Sequence, residues 1–195
     1  NRIHFQLGKT ALSGGTDVAL CDSSYSSYLT TTGYFSMNSG ATNSGGWASS
    51  QMRTNICGTS LSSYSGTIIA VIPAALRAVL KSVTKYTDNT GNNSTSASAV
   101  TATKDYFFLL SEFEVFGSIS RANSNEASKQ AQYAYYSAGN SKVKYKHNGT
   151  STAARWWLRS PLASSSDGFE NVNTNGTVED RTARASFGFP PGFCV

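Results

Sequence analysis

Apolar and polar positions change rhythm several times along the chain, and each change predicts a different element. Before Trp47, short apolar clusters are separated by Gly14-Gly15, by residues 30–33 and by the polar tract 39–46, a pattern of short strands joined by loops. Ser49 or Ser50 can then cap a short helix carrying Gln51, Met52, Arg53 and Ile56, ending near Gly58, with Trp47 packed at its start. Pro73 suits the first turn of a second helix, where its missing N–H has no partner to lose. Leu76, Val79, Leu80 and Val83 recur at three- and four-residue spacing and predict one buried stripe on that helix, with Arg77 and Lys81 toward water.

Residues 87–103 are almost entirely small and polar, and residues 89–98 read as an exposed loop. A continuous apolar run at 106–110 predicts a central strand, and Ser111 with Glu114 has the spacing of a capping box for a short helix. Phe113 and Phe116 share one side of that turn, and Gly117 can close it in the left-handed conformation. The alanine- and glutamine-rich stretch 125–136 predicts another helix, with Ala127, Ala131 and Tyr135 four apart. Its aromatic end, Tyr133, Tyr135 and Tyr136, cannot be buried in full.

The last third has period two. Lys142, Lys144 and Lys146 fall on one face of a strand, predicted to be a solvated edge, with Val143 and Tyr145 opposite and Asn148-Gly149 as a turn. Residues 156–159 predict a buried strand ended by Ser160-Pro161, and Asn175-Gly176 between Val172 and Val178 predicts a type I′ hairpin. Pro190-Pro191 cannot donate to a ladder and so lies outside any central strand. Helices and strands mix without βαβ alternation and without a glycine-rich phosphate loop, which gives one antiparallel α+β domain over 1–195.

Composition narrows the function classes. With 195 residues, 39 % hydrophobic, 12 % aromatic and only 14 % charged, the chain fits one domain with an aromatic core under a polar, weakly charged surface. A disordered charged tail is excluded. The net charge of +5 permits an anionic partner and does not imply nucleic acid. The longest apolar run, 68–72, stops at Pro73, far short of the roughly 20 residues of a membrane span. The chain opens at Asn1 without a basic-then-apolar leader, which fits a piece of a larger polypeptide.

Catalytic patterns are missing from the sequence. Cys21, Cys57 and Cys194 lack zinc or thioredoxin-like spacing and read as reduced, buried side chains that form at most one disulfide. His4 and His147 stand in no metal-spaced cluster, no G-x-S-x-G elbow accompanies the many serines, and no cofactor or metal is expected. Glu112 and Glu114 are two apart, on different faces of a helical turn, a poor arrangement for paired acid and base chemistry. Glu114 is better read as a cap. Asn93, Asn148 and Asn175 lie in N-x-S/T acceptors, which matter only in a secretory host.

Residues 164–187 are the informative stretch. Ser164, Ser165, Asp167, Phe169, Glu170, Asn171, Asn173, Glu179, Asp180, Arg181, Thr182, Arg184 and Phe187 gather both charges, hydroxyls, amides and aromatics around a hairpin with few apolar anchors. Such a set suits noncovalent recognition, with Phe169 and Arg184 as central exposed contacts and the acidic residues and Arg181 adding selectivity.

Gly45-Gly46-Trp47 with Met52-Arg53, then Phe108-Leu109-Leu110-Ser111-Glu112, Trp156-Trp157-Leu158-Arg159-Ser160-Pro161, the Val172 to Gly176 hairpin and the close Gly188-Phe189 to Phe193 resemble an uncharacterised domain family of gut Firmicutes and their phages. The likeness covers 47–195; residues 1–46 match weakly. That family resembles the C-type-lectin-like fold, with antiparallel strands, hairpins and two or more packed helices, and some members resemble the variable proteins of diversity-generating retroelements. The resemblance implies a scaffold of Trp47, Trp156, Trp157, Leu158, Arg159, Pro161, Val172, Gly176, Val178, Gly188 and Phe193, and a variable surface segment over 160–188. It further implies a receptor-binding module on a virion or bacterial surface, taking a protein or glycan on a cell surface as ligand. An assembly module is one alternative, and a hydrolytic or formylglycine-generating-like enzyme another. The closing motif usually carries arginine at the place of Pro190 and alanine at that of Gly192. The copper-binding cysteine pair of the formylglycine-generating enzymes has no match.

Overall fold

The computed structural model describes residues 2–8, 18–19, 35–146 and 149–195. Cys21, His147, Asn148 and the glycine pair at 14–15 lie outside them.

The two ends of the described chain are stitched together. Strand β1 (His4–Gln6) pairs antiparallel with β11 (Gly192–Cys194), which pairs in turn with β5 (Phe107–Phe108). Gly192 is required at this crossing, since a Cβ there would stand 2.5 Å from the Phe108 ring. A second antiparallel sheet has the order β10-β9-β8, from β8 (Trp156–Pro161), β9 (Gly168–Val172) and β10 (Val178–Thr182). A third joins β2 (Val18–Ala19), β6 (Lys144–Lys146) and β7 (Gly149–Ala154), with β2 and β6 parallel. Strands β3 (Val83–Asp88) and β4 (Val100–Asp105) form a two-stranded ribbon. Helices are single turns: α1 (Gly46–Ser49), α2 (Ile68–Val71), α3 (Ala74–Arg77), α4 (Glu112–Phe116) and α5 (Ala134–Ser137). The fold is therefore mixed α+β, with several antiparallel sheets and short helices, and its core gathers Trp47, Trp156, Trp157, Leu158, Phe107, Phe108, Phe189 and Val172.

Local chemistry explains the elements that match expectation. Ser111 accepts from the Glu114 N–H while the Glu114 carboxylate accepts from the Ser111 N–H, the reciprocal capping box, and Gly117 closes α4 at φ +72°. Ser50 Oγ accepts from the Arg53 N–H and starts a π-helical segment over Met52–Cys57, which Gly58 ends at φ +81°. Residues 92–93 and 95–98 are exposed, as the loop reading requires.

Four expectations are corrected. The helix after Pro73 lasts one turn; Val79 is 51 % exposed and Val83 begins a strand. The Lys81 N–H binds the Cys194 carbonyl, and Val-Thr-Lys-Tyr-Thr then alternates as β3, so the ladder with β4 outcompetes the helical stripe. Thr87 and Asp88 are accordingly buried at the end of that strand, ahead of the loop. The stretch 125–136 breaks into a 3-10 segment, Ser124–Lys129, and α5, because Gln130 is extended with its amide on the Tyr86 carbonyl and the Tyr133 N–H is taken by the Glu114 carbonyl. Lys144 is buried rather than solvated, since β6 is the middle strand of its sheet and not an edge. The hairpin at Val172 and Val178 forms, but with three residues at its tip: Gly176 N–H binds the Asn173 carbonyl, Asn173 N–H binds that of Thr177, and only Gly176 takes positive φ. That is a type I turn followed by a left-handed glycine, not type I′.

Cys57 and Cys194 are both buried, and among the described residues no group of three or more His, Cys, Asp or Glu is placed to hold a metal ion. No described helix is long and apolar enough to cross a membrane.

Candidate recognition site

The β9–β10 hairpin rests on a charged core. The Arg159 guanidinium, wholly buried on β8, donates from Nη1 to the Glu114 carboxylate and the Leu109 carbonyl, from Nε to Thr87 Oγ1 at 2.7 Å and from Nη2 to the Tyr86 carbonyl. Lys85 Nζ donates to the other Glu114 oxygen at 2.7 Å. Two cations hold the Glu114 carboxyl down to about 2 against the opposing effect of burial. Trp47 and Arg53 share a second anchor, Asp105, through Nε1 at 3.1 Å and Nε at 2.6 Å, which gives the glycine-tryptophan and methionine-arginine motif its physical role.

On the other side of β9 three glutamates converge. Glu112 accepts from the N–H groups of Ser120, Arg121 and Ala122 and from the Ser120 hydroxyl. Glu126 accepts from the Asp88 N–H and lies 2.8 Å from Ser160 Oγ; burial pushes its carboxyl up to about 7. Glu170 on β9 is fully buried, its oxygens make no hydrogen bond within the usual distance, and desolvation with Glu112 beside it drives its carboxyl well above 4.5. A protonated, neutral Glu170 is the form this site accepts.

The sequence-predicted contact residues are spread over the core, two faces of the hairpin, the loop 162–168 and the hairpin base. Phe169, Glu170 and Asn171 are wholly buried, which corrects the expectation that Phe169 is an exposed contact; β9 is the central strand, covered on both faces. Asn173, Glu179, Arg181 and Phe187 collect around Arg155. Arg155 binds Glu179 and stands 5.7 Å over the Phe187 ring, Asn173 Nδ2 donates to Glu179 at 2.8 Å, and Arg181 reaches the same carboxylate at 3.3 Å. These cations hold the Glu179 carboxyl below its ordinary value, the Arg155 hydrogen bond first among them. Asp180 points to the opposite face, where it pairs with Arg121 beside a broad groove bordered by Ser164 and Val178. Ser165 bonds to Asp167 within its own loop, and Thr182 and Arg184 sit at the base of the hairpin, Arg184 exposed.

Beside the Arg155 cluster lies a concavity of about 250 Å³, bordered by Thr174 at the hairpin tip, Arg155, Lys146, Ser186 and Phe187. Phe187 is partly exposed and braced from beneath by Trp157, ring centroids 4.8 Å apart. Sequence reading missed Arg155 as the hub, and missed Asn43. The buried Asn43 amide donates to the Ser165 and Gly168 carbonyls at 2.8 and 2.9 Å, while its oxygen accepts from the Asn92 N–H, so it pins the loop 162–168 from a remote segment. No short-range signal marks such a contact.

Residues 23–195 match the family described as a domain of unknown function, DUF6273. The chain belongs to that family. No curated protein and no solved structure matches the chain. The DUF6273 match takes in all the scaffold positions from Trp47 to Phe193 and the whole hairpin.

Proposed function

We propose that this DUF6273 domain is a noncovalent recognition module that binds a protein or glycan on a cell surface through the outer face of the β9–β10 hairpin. The observation that carries the reading is the Arg155–Glu179–Arg181 cluster, held in place over fully buried strands and bordering a concavity with the aromatic Phe187 in its wall. A rigid base with polar side chains of both signs and one accessible ring offers directional hydrogen bonds and one apolar anchor. The mechanism is reversible binding without a chemical step.

The same proposal takes the arrangement to be C-type-lectin-like and the module to sit on a phage or bacterial surface, supported by the order of the tryptophan, proline and glycine-aromatic motifs along the sequence. Diversification by a retroelement is compatible with outward positions such as Asn173, Glu179, Arg181 and Arg184, and not with Phe169, Glu170 or Asn171, where substitution unsettles the core. The test is a screen of the labelled domain on glycan and bacterial surface-protein arrays, with Phe187→Ala and Arg181→Ala beside wild type and Ser164→Ala, on the opposite face, as control. Loss of the hits in the first two variants alone supports the reading. Hits that survive both, or equal losses in the control, overturn it.

A further inference from the structure

Strand β10 is the outer strand of its sheet, paired with β9 on one side only. Its register with β9 runs through five consecutive residues without a bulge. The bonds just beyond the strand fix which groups face outward. Asn173 N–H binds the Thr177 carbonyl and Ala183 N–H binds that of Asp167, so the odd-numbered residues of β10 bond to β9 and the even-numbered ones turn their N–H and C=O groups away from it. Among the described residues, nothing accepts from the N–H groups of Val178, Asp180 or Thr182, and nothing donates to the Val178 carbonyl. The Asp180 carbonyl takes Arg181 Nη1 at 2.9 Å and that of Thr182 takes the Ala185 N–H, each with a lone pair to spare. A groove beside Val178, on the Asp180 face, leaves this edge open.

An open, regular edge is a template for another strand, and natural folds usually blunt it with lysine, proline or a bulge. Strand β10 has none of the three. It carries instead Glu179-Asp180-Arg181, a sequence that complements itself. When two copies of β10 run antiparallel with Asp180 opposite its counterpart, Val178 faces Thr182 and Glu179 faces Arg181, each twice over by symmetry. The even-numbered residues then form the hydrogen-bonded pairs. Glu179 and Arg181 fall at the other positions, where facing Cα atoms are only about 4.5 Å apart and side chains meet best. Each Asp180 is ion-paired with its own Arg121, which offsets the repulsion of the like pair on the axis.

We infer that β10 is a homodimerisation edge: a second copy of this chain adds its own β10 antiparallel about Asp180, turning two three-stranded sheets into one of six strands. The two-fold axis of such a pair stands perpendicular to the sheet, so both Arg155 clusters face the same way. The interface is short and the dimer weak, with dissociation expected in the range of about 10–100 µM. The inference stands whether or not the hairpin face takes a ligand.

Sedimentation velocity on the whole chain without ligand, from about 1 to about 500 µM, is the test. Wild type passes from monomer to dimer across that range. Thr182→Pro removes an outward N–H and no bond to β9, and it weakens the dimer at least about tenfold. Arg181→Glu does the same, while Lys129→Glu, the same charge change on an exposed residue off this sheet, leaves the dimer intact. Arg181→Glu and Glu179→Arg chains, mixed in equal amounts, pair with each other although neither pairs with itself. Circular dichroism verifies each fold; where Glu179→Arg does not fold beside Arg155, Thr182→Pro and Arg181→Glu decide. A monomer at every concentration, a dimer unmoved by Thr182→Pro or by Arg181→Glu, or an equal loss in Lys129→Glu overturns the inference.

Discussion

Arg159 and Glu114 form an ion pair at the centre of the protein, in which every polar atom of the guanidinium is engaged and both carboxylate oxygens are bound by cations. The pair ties β8, the strand beneath the hairpin, to the capped helix α4. Breaking one half strands a buried charge. Arg159→Ala is expected to lower the unfolding free energy by about 3–5 kcal/mol, read from urea denaturation at neutral pH.

Stability should also depend on pH in two opposing ways. Glu170 and Glu126 keep their protons in the fold, so what they contribute is complete below 4.5 and is lost as pH rises, for Glu126 through about 7. Glu114, lowered to about 2, contributes above 4.5 and loses that contribution as pH falls toward 2. Denaturation midpoints should therefore peak in acidic buffer near pH 4.5, where the two trends meet, and decline on both sides, by up to about 1.4 kcal/mol per pH unit for each titrating group. Glu170→Gln, which mimics the neutral form, should flatten the decline on the alkaline side while leaving the acid side unchanged.

Much of the architecture is readable from local signals. The Ser111–Glu114 capping box, the Gly117 stop, the buried 156–159 run and the hairpin at Gly176 each depend on residues a few positions apart, and each is present, the hairpin with a three-residue tip in place of the type I′ turn. What escaped depends on strand order. Lys144 and Phe169 alternate like edge-strand residues, yet both belong to middle strands, and nothing in a period of two says which strand a sheet will place at its centre. The helix after Pro73 failed for a related reason: a ladder partner 22 residues downstream of Val83, at Asp105, and a carbonyl at Cys194 are invisible to a local stripe. The candidate contact residues were found as a segment, but their division into core, Arg155 face and Arg121 face required the register.

Gly46 shows where the glycine-tryptophan motif is exacting. It sits at φ +51°, and a Cβ there would stand 1.9 Å from the Asp88 carbonyl oxygen, a backbone atom held by β3. Gly46→Ala should cost at least about 3 kcal/mol, combining left-handed strain with a contact that cannot relax by a rotamer change. Gly40→Ala meets only Thr42 Cγ2 at 3.9 Å and should be near neutral. Thermal melts of the two variants side by side check the contrast.

Phe169 and Phe187 should behave in opposite ways when truncated. Phe169 is completely enclosed, so Phe169→Ala is expected to lose about 3–5 kcal/mol of stability in urea. Phe187 is partly open, and Phe187→Ala should leave most of the stability intact. Its effect should appear in binding.

The most direct trial of the account is array binding by the Phe187→Ala/Arg181→Ala double variant against wild type, with folding of both verified by circular dichroism. A folded double variant that loses the wild-type hits is the predicted result. A folded double variant that keeps them would contradict the claim that this face of the hairpin makes the contact.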